Sequence, residues 1–432
     1  MSEIRVLCIS SAVKGQAFLR ELKRQGCNVV LLTEERYRDD PDWPYDAIDN
    51  IVYMPSLFRK QDVMTQVGYM CRGWNIDLIL PLDDYEVEMA ASLREHLRMP
   101  GMGETAARFF RDKLAMRMRA RELNIAVPEF TSVFNYDTLR AFMERVAPPY
   151  LLKPRSEAGA MGIKRCESTE QVWRWLNQLG DNQANYLLEQ FVPSDVFHVD
   201  SIVWHGQILF SVASGYSRPP LTVSHGGGVF STSILPRDAP ETRALLEMNA
   251  RTLAALGMTK LGAKSSLVGT AGEIQHFDVG SVEKTFGYQL SGATHLEILR
   301  GQADGQLQFL ECAARVGGAN ISDMIECGTG INPWTEWARI ELAQLRGETY
   351  SLPTARNDYA GILVCLARQE WPDLTSYDAP EVVWRMHKPY HAGLIATSPD
   401  HARVQVLLNE YVDRFAQDFL TTGKPLETAR AN

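Results

Sequence analysis

The sequence predicts an α/β protein that opens with a parallel, doubly wound sheet and continues into an α+β part. Short apolar runs such as IRVLCIS (4–10) and NVVLLT (28–33) alternate with helix-like segments over roughly the first 95 residues, which is typical of parallel sheets. The turn after the first strand, SSAVKGQA, lacks the glycine pattern that dinucleotide-binding domains carry there. We therefore expect a Rossmann-like first domain without a nucleotide of its own.

The order of the later elements predicts four segments. Residues 1–100 form the Rossmann-like domain, and residues 101–190 form a helical linker followed by a small α/β unit. Residues 191–345 form a larger, strand-rich unit that contains a Gly- and Ser-rich segment at about 261–290 with the composition of an inserted loop. Residues 346–432 are expected to form a C-terminal α/β extension.

Composition excludes several classes of protein. The 432 residues carry a net charge of −9, which disfavours a general nucleic-acid surface. No apolar run approaches the ~18 residues that a membrane helix needs. The start, MSEIRVL, enters a strand without a signal-peptide pattern. The seven cysteines are scattered and lack C-x-x-C spacing, so we expect reduced thiols and a cytoplasmic protein.

The stretch HLEILRGQADGQLQFLECAAR (295–315) predicts a hairpin with a glutamate in the middle of each strand. If its loop centres on Asp304, Glu297 faces Glu311, and like charges directly opposite each other destabilise a sheet. A cation between the two carboxylates explains such a pair; the alternative is that both point into water. Arg315 lies further along the same predicted face. Two carboxylates and an arginine suit Mg²⁺ that holds nucleotide phosphates beside a phosphoryl group in transfer.

Three further motifs contain residues that suit a nucleotide. The loop RSEAGAMGIK (155–164) follows an apolar strand that ends at Lys153, and its small residues let a backbone approach phosphates and let the loop close. Lys113, about forty residues earlier, is a second cation near a helix start. The crossover from Glu189 to Asp195 can present backbone groups to adenine and a carboxylate to ribose. A plain turn and solvated surface charges are the simpler alternatives for each motif taken singly.

In this order the motifs resemble the ATP-grasp superfamily of carboxylate–amine ligases, which includes the large subunit of carbamoyl-phosphate synthetase and biotin carboxylase. The likeness covers residue 1 to about 340 and rests on RDK (111–113), LLKPRSEAGAMGI (151–163), LLEQFV (187–192), HLE (295–297) and ECAARVGGAN (311–320). The resemblance implies an ATP-grasp fold: a Rossmann-like domain, a small lid domain and a larger domain, with ATP between two antiparallel sheets.

The resemblance also implies roles for individual residues. The resemblance assigns the catalytic roles to Lys153 and Arg315. Nucleotide contacts are assigned to Lys113, Lys153, Ser156, Gly159, Gly162, Glu189, Val192 and Asp195, with the two lysines on the phosphates, Glu189 and Val192 on the adenine and Asp195 on the ribose. Glu297 and Glu311 bind Mg²⁺, with Mn²⁺ as an alternative ion.

Two departures from the family pattern concern the metal. The usual second metal strand reads E-x-N-x-R, but Ala313 stands here at the middle position and cannot bind a cation. Either two carboxylates and phosphate oxygens suffice, because Mg²⁺ keeps several waters, or Asn320 supplies the missing ligand. The inserted segment offers the rival acids Glu273, Asp278 and Glu283.

These expectations combine into an ATP-dependent ligase that activates a carboxylate as an acyl phosphate and joins it to an amine, in an amide or peptide bond. Its partners would be small carboxylates and amines, with no nucleic acid and no membrane, and the sequence leaves the oligomeric state open, a homodimer included. Arg218 and His225 are candidates for the substrate pocket, and HKPYH (387–391) is either a lid or part of a sheet. The alternatives are a bicarbonate-activating, biotin-carboxylase-like enzyme and an ATP-binding regulatory protein without turnover.

Overall fold

The computed structural model describes residues 3–259 and 290–422, and the backbone of residues 266–267 and 270–271. The strands are β1 Arg5–Ser10, β2 Asn28–Glu34, β3 Asn50–Met54, β4 Leu78–Pro81, β5 Phe130–Ser132, β6 Tyr150–Pro154, β7 Lys164–Cys166, β8 Tyr186–Gln190, β9 Ser194–Trp204, β10 Gln207–Tyr216, β11 Phe230–Ile234, β12 Ser266–Leu267, β13 Thr270–Ala271, β14 Gly292–Gly301, β15 Leu307–Ala313, β16 Tyr359–Leu366, β17 Val382–Arg385 and β18 His391–Ser398. The α-helices are α1 Gln16–Arg24, α2 Lys60–Met70, α3 Asp84–Leu97, α4 Glu104–Arg108, α5 Lys113–Glu122, α6 Tyr136–Arg145, α7 Thr169–Leu179, α8 Pro220–Gly226, α9 Pro240–Ala255, α10 Ile321–Thr329, α11 Pro333–Arg346 and α12 His401–Asp418.

The first domain contains a parallel sheet in the order β3-β2-β1-β4, called here the N-terminal sheet. Its strands are continuous apolar runs because helices cover both faces, and β1 and β2 are almost wholly buried. Since the strands run in parallel, the loops after β1 and β4 meet at one edge of the sheet. This edge places Lys14, after β1, beside Asp83, after β4.

A small sheet follows, with antiparallel strands in the order β5-β8-β6-β7. Strand β6 pairs with β8 so that Leu151 lies opposite Glu189 and Lys153 lies opposite Leu187. Lys153 and Glu189 therefore share one face of this sheet on neighbouring strands, which allows their side chains to meet.

The large sheet has the order β15-β14-β9-β10-β11-β16-β18-β17, and its pairs are antiparallel. The strands of the expected C-terminal extension, β16 to β18, belong to this same sheet, because β16 pairs directly with β11. Residues 346–422 therefore continue the larger unit and have no separate sheet among the described strands. The inserted segment at about 261–290 lies almost entirely outside the described residues.

A shared hydrophobic core joins the N-terminal sheet to the large sheet. Phe18 of α1 and Leu82 after β4 belong to the same buried cluster as Ile202 of β9 and Trp337 of α11. The rings of Phe18 and Trp337 meet edge to face, with centroids 5.1 Å apart. This packing fixes the carboxyl edge of the N-terminal sheet against the large sheet. No helix in the described part of the chain is long and apolar enough to cross a membrane.

Candidate active site

The hairpin of β14 and β15 pairs its two central glutamates, as the sequence predicted. Glu297 lies directly opposite Glu311, and His295 lies opposite Ala313. Toward the turn the register shifts by one residue, so that Ile298 pairs with Phe309 and Leu310 is left as a bulge. The carbonyl of Leu310 accepts a hydrogen bond from the Arg117 guanidinium of helix α5, which gives this unpaired backbone group a partner.

The Glu297 carboxylate is held by two neighbours on its own sheet face. The Tyr216 hydroxyl, at the end of β10, donates to Glu297 Oε1 at 2.9 Å, and His295 Nε2 lies 3.7 Å from the same oxygen. Burial disfavours the charge on Glu297, but His295 and Tyr216 together keep the pKa of this carboxyl below its ordinary value. Burial and the adjacent carboxylate raise the pKa of Tyr216 well above its ordinary value, so the phenol remains a donor.

Behind Glu297 a buried polar network crosses the large sheet. Asp200 accepts from His198 Nδ1 at 2.7 Å and from His295 Nδ1 at 2.8 Å. Burial opposes a charged imidazole, but the Asp200 carboxylate raises the pKa of His295 to about 10. Gly317 lies against this network, because a Cβ there would come within 2.9 Å of Asp200 Oδ1 and 3.0 Å of His295 Nδ1. His295 is therefore a fixed positive charge beside Glu297.

Two lysines pair with glutamates: Lys113, on helix α5, with a glutamate of the hairpin, and Lys153, on the small sheet, with Glu189. Lys113 is the first residue of α5, where the Asp112 side chain caps the helix, and its Nζ lies 3.0 Å from Glu311 Oε2. Lys153 Nζ lies 2.5 Å from Glu189 Oε1, and Arg117 Nε donates to the other oxygen of Glu189 at 2.8 Å. Burial opposes the Glu189 charge, but Arg117 and Lys153 keep the pKa of Glu189 below its ordinary value. The Glu189 carboxylate is therefore the shared ion-pair partner of Arg117 and Lys153.

The glycine loop (155–164) lies over this cluster. Gly159 and Gly162 adopt positive φ angles of 62° and 69°, a conformation that glycine accepts without strain. Lys113 Nζ donates to the Glu157 carbonyl at 2.6 Å, which ties the loop to helix α5. From the other side, Ser224 of α8 donates to the Gly159 carbonyl at 3.4 Å. Lys113 thus contacts both the loop and the acidic hairpin.

Arg315 follows the end of β15 and connects the acidic hairpin to the N-terminal sheet. Its guanidinium pairs with Asp84, at the start of α3, and its Nε lies 3.8 Å from Asp83 Oδ1. Burial disfavours the guanidinium charge, but the two aspartates raise the pKa of Arg315 above its ordinary value. Lys14 in turn lies 2.6 Å from Asp83 Oδ2.

The hairpin, the two lysines, the glycine loop and Arg315 line one cavity of about 460 Å³ between the small and large sheets, with residues that follow β1 and β4 of the N-terminal sheet at one end. The predicted residues that line it are Lys113, Lys153, Gly159, Glu189, Val192, Glu297, Glu311 and Arg315. The cavity therefore brings together the two acids, the three cations and part of the glycine loop that the sequence indicated.

Other candidate residues do not line this cavity. Asp195 lies on β9 between Ser194 and Val196, which do line it, and the Asp195 carboxylate pairs instead with Arg300 at 2.6 Å. Asn320 directly precedes α10, and its side-chain amide donates to Asp323 at 2.9 Å, while the Ser156 carbonyl accepts from Arg111. Gly162 also lies outside the lining.

The candidate substrate residues whose side chains are described do not line the cavity. Arg218 is exposed in the loop before α8, next to Pro219 and Pro220 of the cavity wall. His225 lies in α8, and its side chain is outside the described ones. Residues 387–390 of HKPYH form an exposed turn between β17 and β18, outside the cavity lining, and His391 begins β18; His387 stacks on Trp371. The rival acids Glu273, Asp278 and Glu283 lie outside the described residues.

Sequence reasoning missed several residues that complete the site. They are Lys14, Asp83, Asp84, Tyr216, His198 and Asp200. The run LDDYE directly after the apolar strand β4 was a usable signal, because polar residues at the carboxyl ends of parallel strands gather at one edge. His198 and Asp200, two residues apart inside the apolar strand HVDSIVW, were another signal, since buried polar groups need partners.

Comparison with known proteins finds a similar amino acid ligase and solved structures with a similar fold. No family model matches the chain. An L-arginine-specific L-amino acid ligase of Bacillus subtilis is 25% identical over 295 residues, which are 67% of this chain and 61% of that ligase. The match thus spans less than two thirds of the relative.

Solved structures match almost the whole chain. An L-amino acid ligase from Bacillus licheniformis superposes with a TM-score of 0.69 at 16% identity, over 98% of this chain and 99% of that one. A carboxyaminoimidazole ribonucleotide synthase from Aspergillus clavatus, complexed with ATP, superposes with a TM-score of 0.69 at 12% identity, over 96% of this chain and 99% of that one. The dimeric biotin carboxylase domain of a Hydrogenobacter thermophilus carboxylase, with MgADP and bicarbonate, superposes with a TM-score of 0.64 at 15% identity, over 97% of this chain and 90% of that one. The chain has the ATP-grasp fold of the carboxylate–amine ligases, which confirms the fold expected from its motifs.

Proposed function

We propose that the protein is an ATP- and Mg²⁺-dependent ligase that activates a carboxylate as an acyl phosphate and joins it to an amine. The observation that carries this proposal is the cavity itself. It sets Glu297 opposite Glu311 within reach of Lys113, and adds Lys153 and Arg315 on separate walls. Such a set of acids and cations suits a metal–triphosphate beside a group in transfer. The similarity to amino acid ligases supports the same reaction class.

The acidic hairpin fits a magnesium ion. Glu297 and Glu311 offer carboxylate oxygens, the donors that Mg²⁺ prefers. His295 lies beside Glu297, and Lys113 lies beside Glu311. Ala313 adds no donor and Asn320 is directed to Asp323, so water and phosphate oxygens would complete the coordination. Bound Mg²⁺ would supply positive charge to the phosphates during transfer. Mn²⁺ stays a prediction for the same donors.

The chain's residues have separable tasks in the proposed reaction. Lys113 and Lys153 bind the phosphates, and the glycine loop closes over them to exclude water. A substrate carboxylate oxygen attacks the γ-phosphorus, the bond to the bridging oxygen breaks, and ADP leaves with that electron pair. Arg315 balances the charge of the resulting acyl phosphate. The amine then attacks the carbonyl carbon, the bond to phosphate breaks, and hydrogen phosphate leaves with the proton that the amine loses.

The test is release of ADP and inorganic phosphate from ATP and Mg²⁺ with a panel of carboxylic acids and amines, with mass spectrometry for the amide product. Glu311→Gln is expected to lower turnover about 100-fold or more, because it removes one charged donor of the metal. Glu381→Gln is the matched control, since Glu381 pairs with Arg403 outside the cavity. Full turnover by Glu311→Gln would show that the metal assignment is wrong.

Two arms of this assay separate the alternatives. Release of ADP that depends on bicarbonate would favour a carboxylase, a reading supported by the similar domain solved with bicarbonate. Tight ATP binding without turnover for any pair would favour a regulatory protein. The homodimer and the cytoplasmic location remain predictions, and the latter is compatible with the seven cysteines, none of which forms a disulfide.

A further inference from the structure

A second cavity, of about 280 Å³, lies between the N-terminal sheet, the large sheet and helix α11. Its lining comes from strand β4, helix α3, the start of β14 and helix α11, and none of the described residues lines both this cavity and the first one. Pro100 and Gln344 line it and are exposed, so a small molecule can reach it from solvent. The proposed reaction does not use this space.

Apolar side chains form most of the lining of this second cavity. Leu80, Val87, Ala293 and Trp337 line it and are buried. An apolar cavity of about 150 Å³ holds a benzene molecule, so about 280 Å³ has room for a bicyclic ring system. Apolar walls with a small number of polar groups are the usual form of a site for a small organic molecule.

Two side chains, Arg94 and Glu341, bring one charge of each sign to this cavity. Arg94 is held by the backbone, because it donates to the carbonyls of Ile79 at 3.0 Å and Met102 at 3.2 Å. Burial raises the pKa of Glu341, and the nearby charge of Arg94 opposes this rise. An uncharged ligand leaves the balance between these two charges unchanged, whereas an ion would add a charge without a partner in a low-dielectric space.

The Glu341 carboxyl group offers one hydrogen-bond acceptor to a ligand. Its Oε1 accepts from the indole nitrogen Nε1 of Trp337 at 2.8 Å. Its Oε2 has no hydrogen-bond partner within residues 3–259 and 290–422. A ligand with a single N–H or O–H group can donate to this oxygen while its apolar body packs against the walls, and a hydrogen bond to a charged group is stronger than one between neutral groups.

The walls of the second cavity continue directly into the first cavity. Pro81 lines the second cavity three residues before Asp84, and Ala314 lines it immediately before Arg315. Asp84 and Arg315 form an ion pair in the lining of the first cavity. A ligand in the second cavity therefore contacts both of the chain segments that hold this ion pair.

We propose that the second cavity is a ligand site for an uncharged, mainly apolar bicyclic molecule whose single donor group meets Glu341, and that its occupant changes the affinity of the first cavity for a nucleotide. The coupling rests on the proposed ligase function, which places nucleotide phosphates near Arg315, whereas the binding itself does not. By linkage, a nucleotide must change the affinity for the second ligand by the same factor.

The binding is tested by isothermal titration of the full chain, without nucleotide, with indole and with 1-methylindole, which lacks the N–H donor. Indole should bind about tenfold more tightly, because it alone can donate to Glu341. Glu341→Met removes the acceptor and should abolish this preference. Glu326→Met is the matched control, since Glu326 also accepts from an uncharged side chain, that of Asn332 at 2.7 Å, and lies outside the cavity. Leu345→Trp fills the cavity from a half-buried position and should abolish binding of both compounds.

Several results would overturn the ligand site: no binding of indole, equal binding of the two compounds by the wild type, or a preference that survives in Glu341→Met. Displacement of indole by an equal concentration of tryptamine or indole-3-propionate, which carry a charge, would show that the ligand need not be uncharged.

The coupling is tested by titration of a non-hydrolysable ATP analogue with Mg²⁺, with and without saturating indole. A change in affinity of about fivefold or more is expected, and equal affinities would overturn the coupling. Absence of analogue binding in both titrations would instead count against the proposed ligase function, while the indole site would stand on its own measurements.

Discussion

Replacement of Glu86 by glutamine should make the protein more stable in mildly alkaline solution, although it removes an ionisable group close to the cavity. Glu86 lies in the first turn of α3 and is 2% exposed. Its Oε1 accepts from the Ser11 backbone N–H at 3.2 Å, and its Oε2 has no hydrogen-bond partner among the described residues. Burial, and then the charge of Asp83, raises the pKa of Glu86 from 4.5 to about 8.

The size and sign of the effect follow from this shift. Between pH 4.5 and 8 the folded protein holds a proton on Glu86 that the unfolded chain releases, so the associated stability is complete below pH 4.5 and is lost as the pH rises to 8. A rise of the Glu86 pKa from 4.5 to about 8 corresponds to at most about 5 kcal/mol of folding free energy. Glutamine is neutral at every pH and avoids this loss. Glu86→Gln should therefore exceed the wild type by several kcal/mol at pH 8 and match it near pH 4.5.

Urea unfolding followed by far-ultraviolet circular dichroism at pH 4.5, 6 and 8 measures the difference in free energy of unfolding. The expected signature is a gap between variant and wild type that widens with pH. A gap of constant size at the three pH values, or a variant less stable than the wild type at pH 8, would refute the reasoning about this carboxyl group.

Two further substitutions test the site and its support. Tyr216→Phe removes the hydroxyl that donates to Glu297. It should raise the Mg²⁺ concentration for half-maximal phosphate release about tenfold, with turnover restored at saturating Mg²⁺. An unchanged Mg²⁺ requirement would contradict the role of this contact. Arg117→Met leaves the buried carboxylate of Glu189 with Lys153 as its remaining cationic partner. Because a buried charge then loses one of its two ion pairs, the free energy of unfolding in urea should fall by about 3 to 5 kcal/mol. A loss well below 1 kcal/mol would show that Glu189 is solvated or protonated in the folded protein.

The sequence predicted the parts of the site that depend on local pattern. The pairing of Glu297 with Glu311 follows from the alternation of two adjacent strands and a short turn, so it could be read without the fold. The bulge at Leu310 could not be read in this way, because its carbonyl accepts a hydrogen bond from Arg117, which is 193 residues away in sequence. Contacts of this kind depend on how α5 packs against the hairpin.

The misplaced and missing residues have a similar physical origin. Asp195 was read as part of a crossover, but β9 begins at Ser194, and the alternation of a strand then turns Asp195 away from the cavity that Ser194 and Val196 line. Asp83 and Lys14 meet only because β1 and β4 are neighbours in a parallel sheet. Which strands are neighbours in a parallel sheet depends on the topology of the whole sheet, so it cannot be predicted from the sequence separation of two residues.

The way β16 completes the large sheet limits how the protein can be dissected. Its backbone pairs with β11 from Phe230 to Ser233, so a gene truncated near codon 345 would encode a chain with that strand bare. A bare strand edge presents unpaired N–H and C=O groups that recruit other chains, so we expect such a fragment to form inclusion bodies. Recombinant work on this protein therefore needs the polypeptide through α12, even though the cavity is lined by residues far upstream of it.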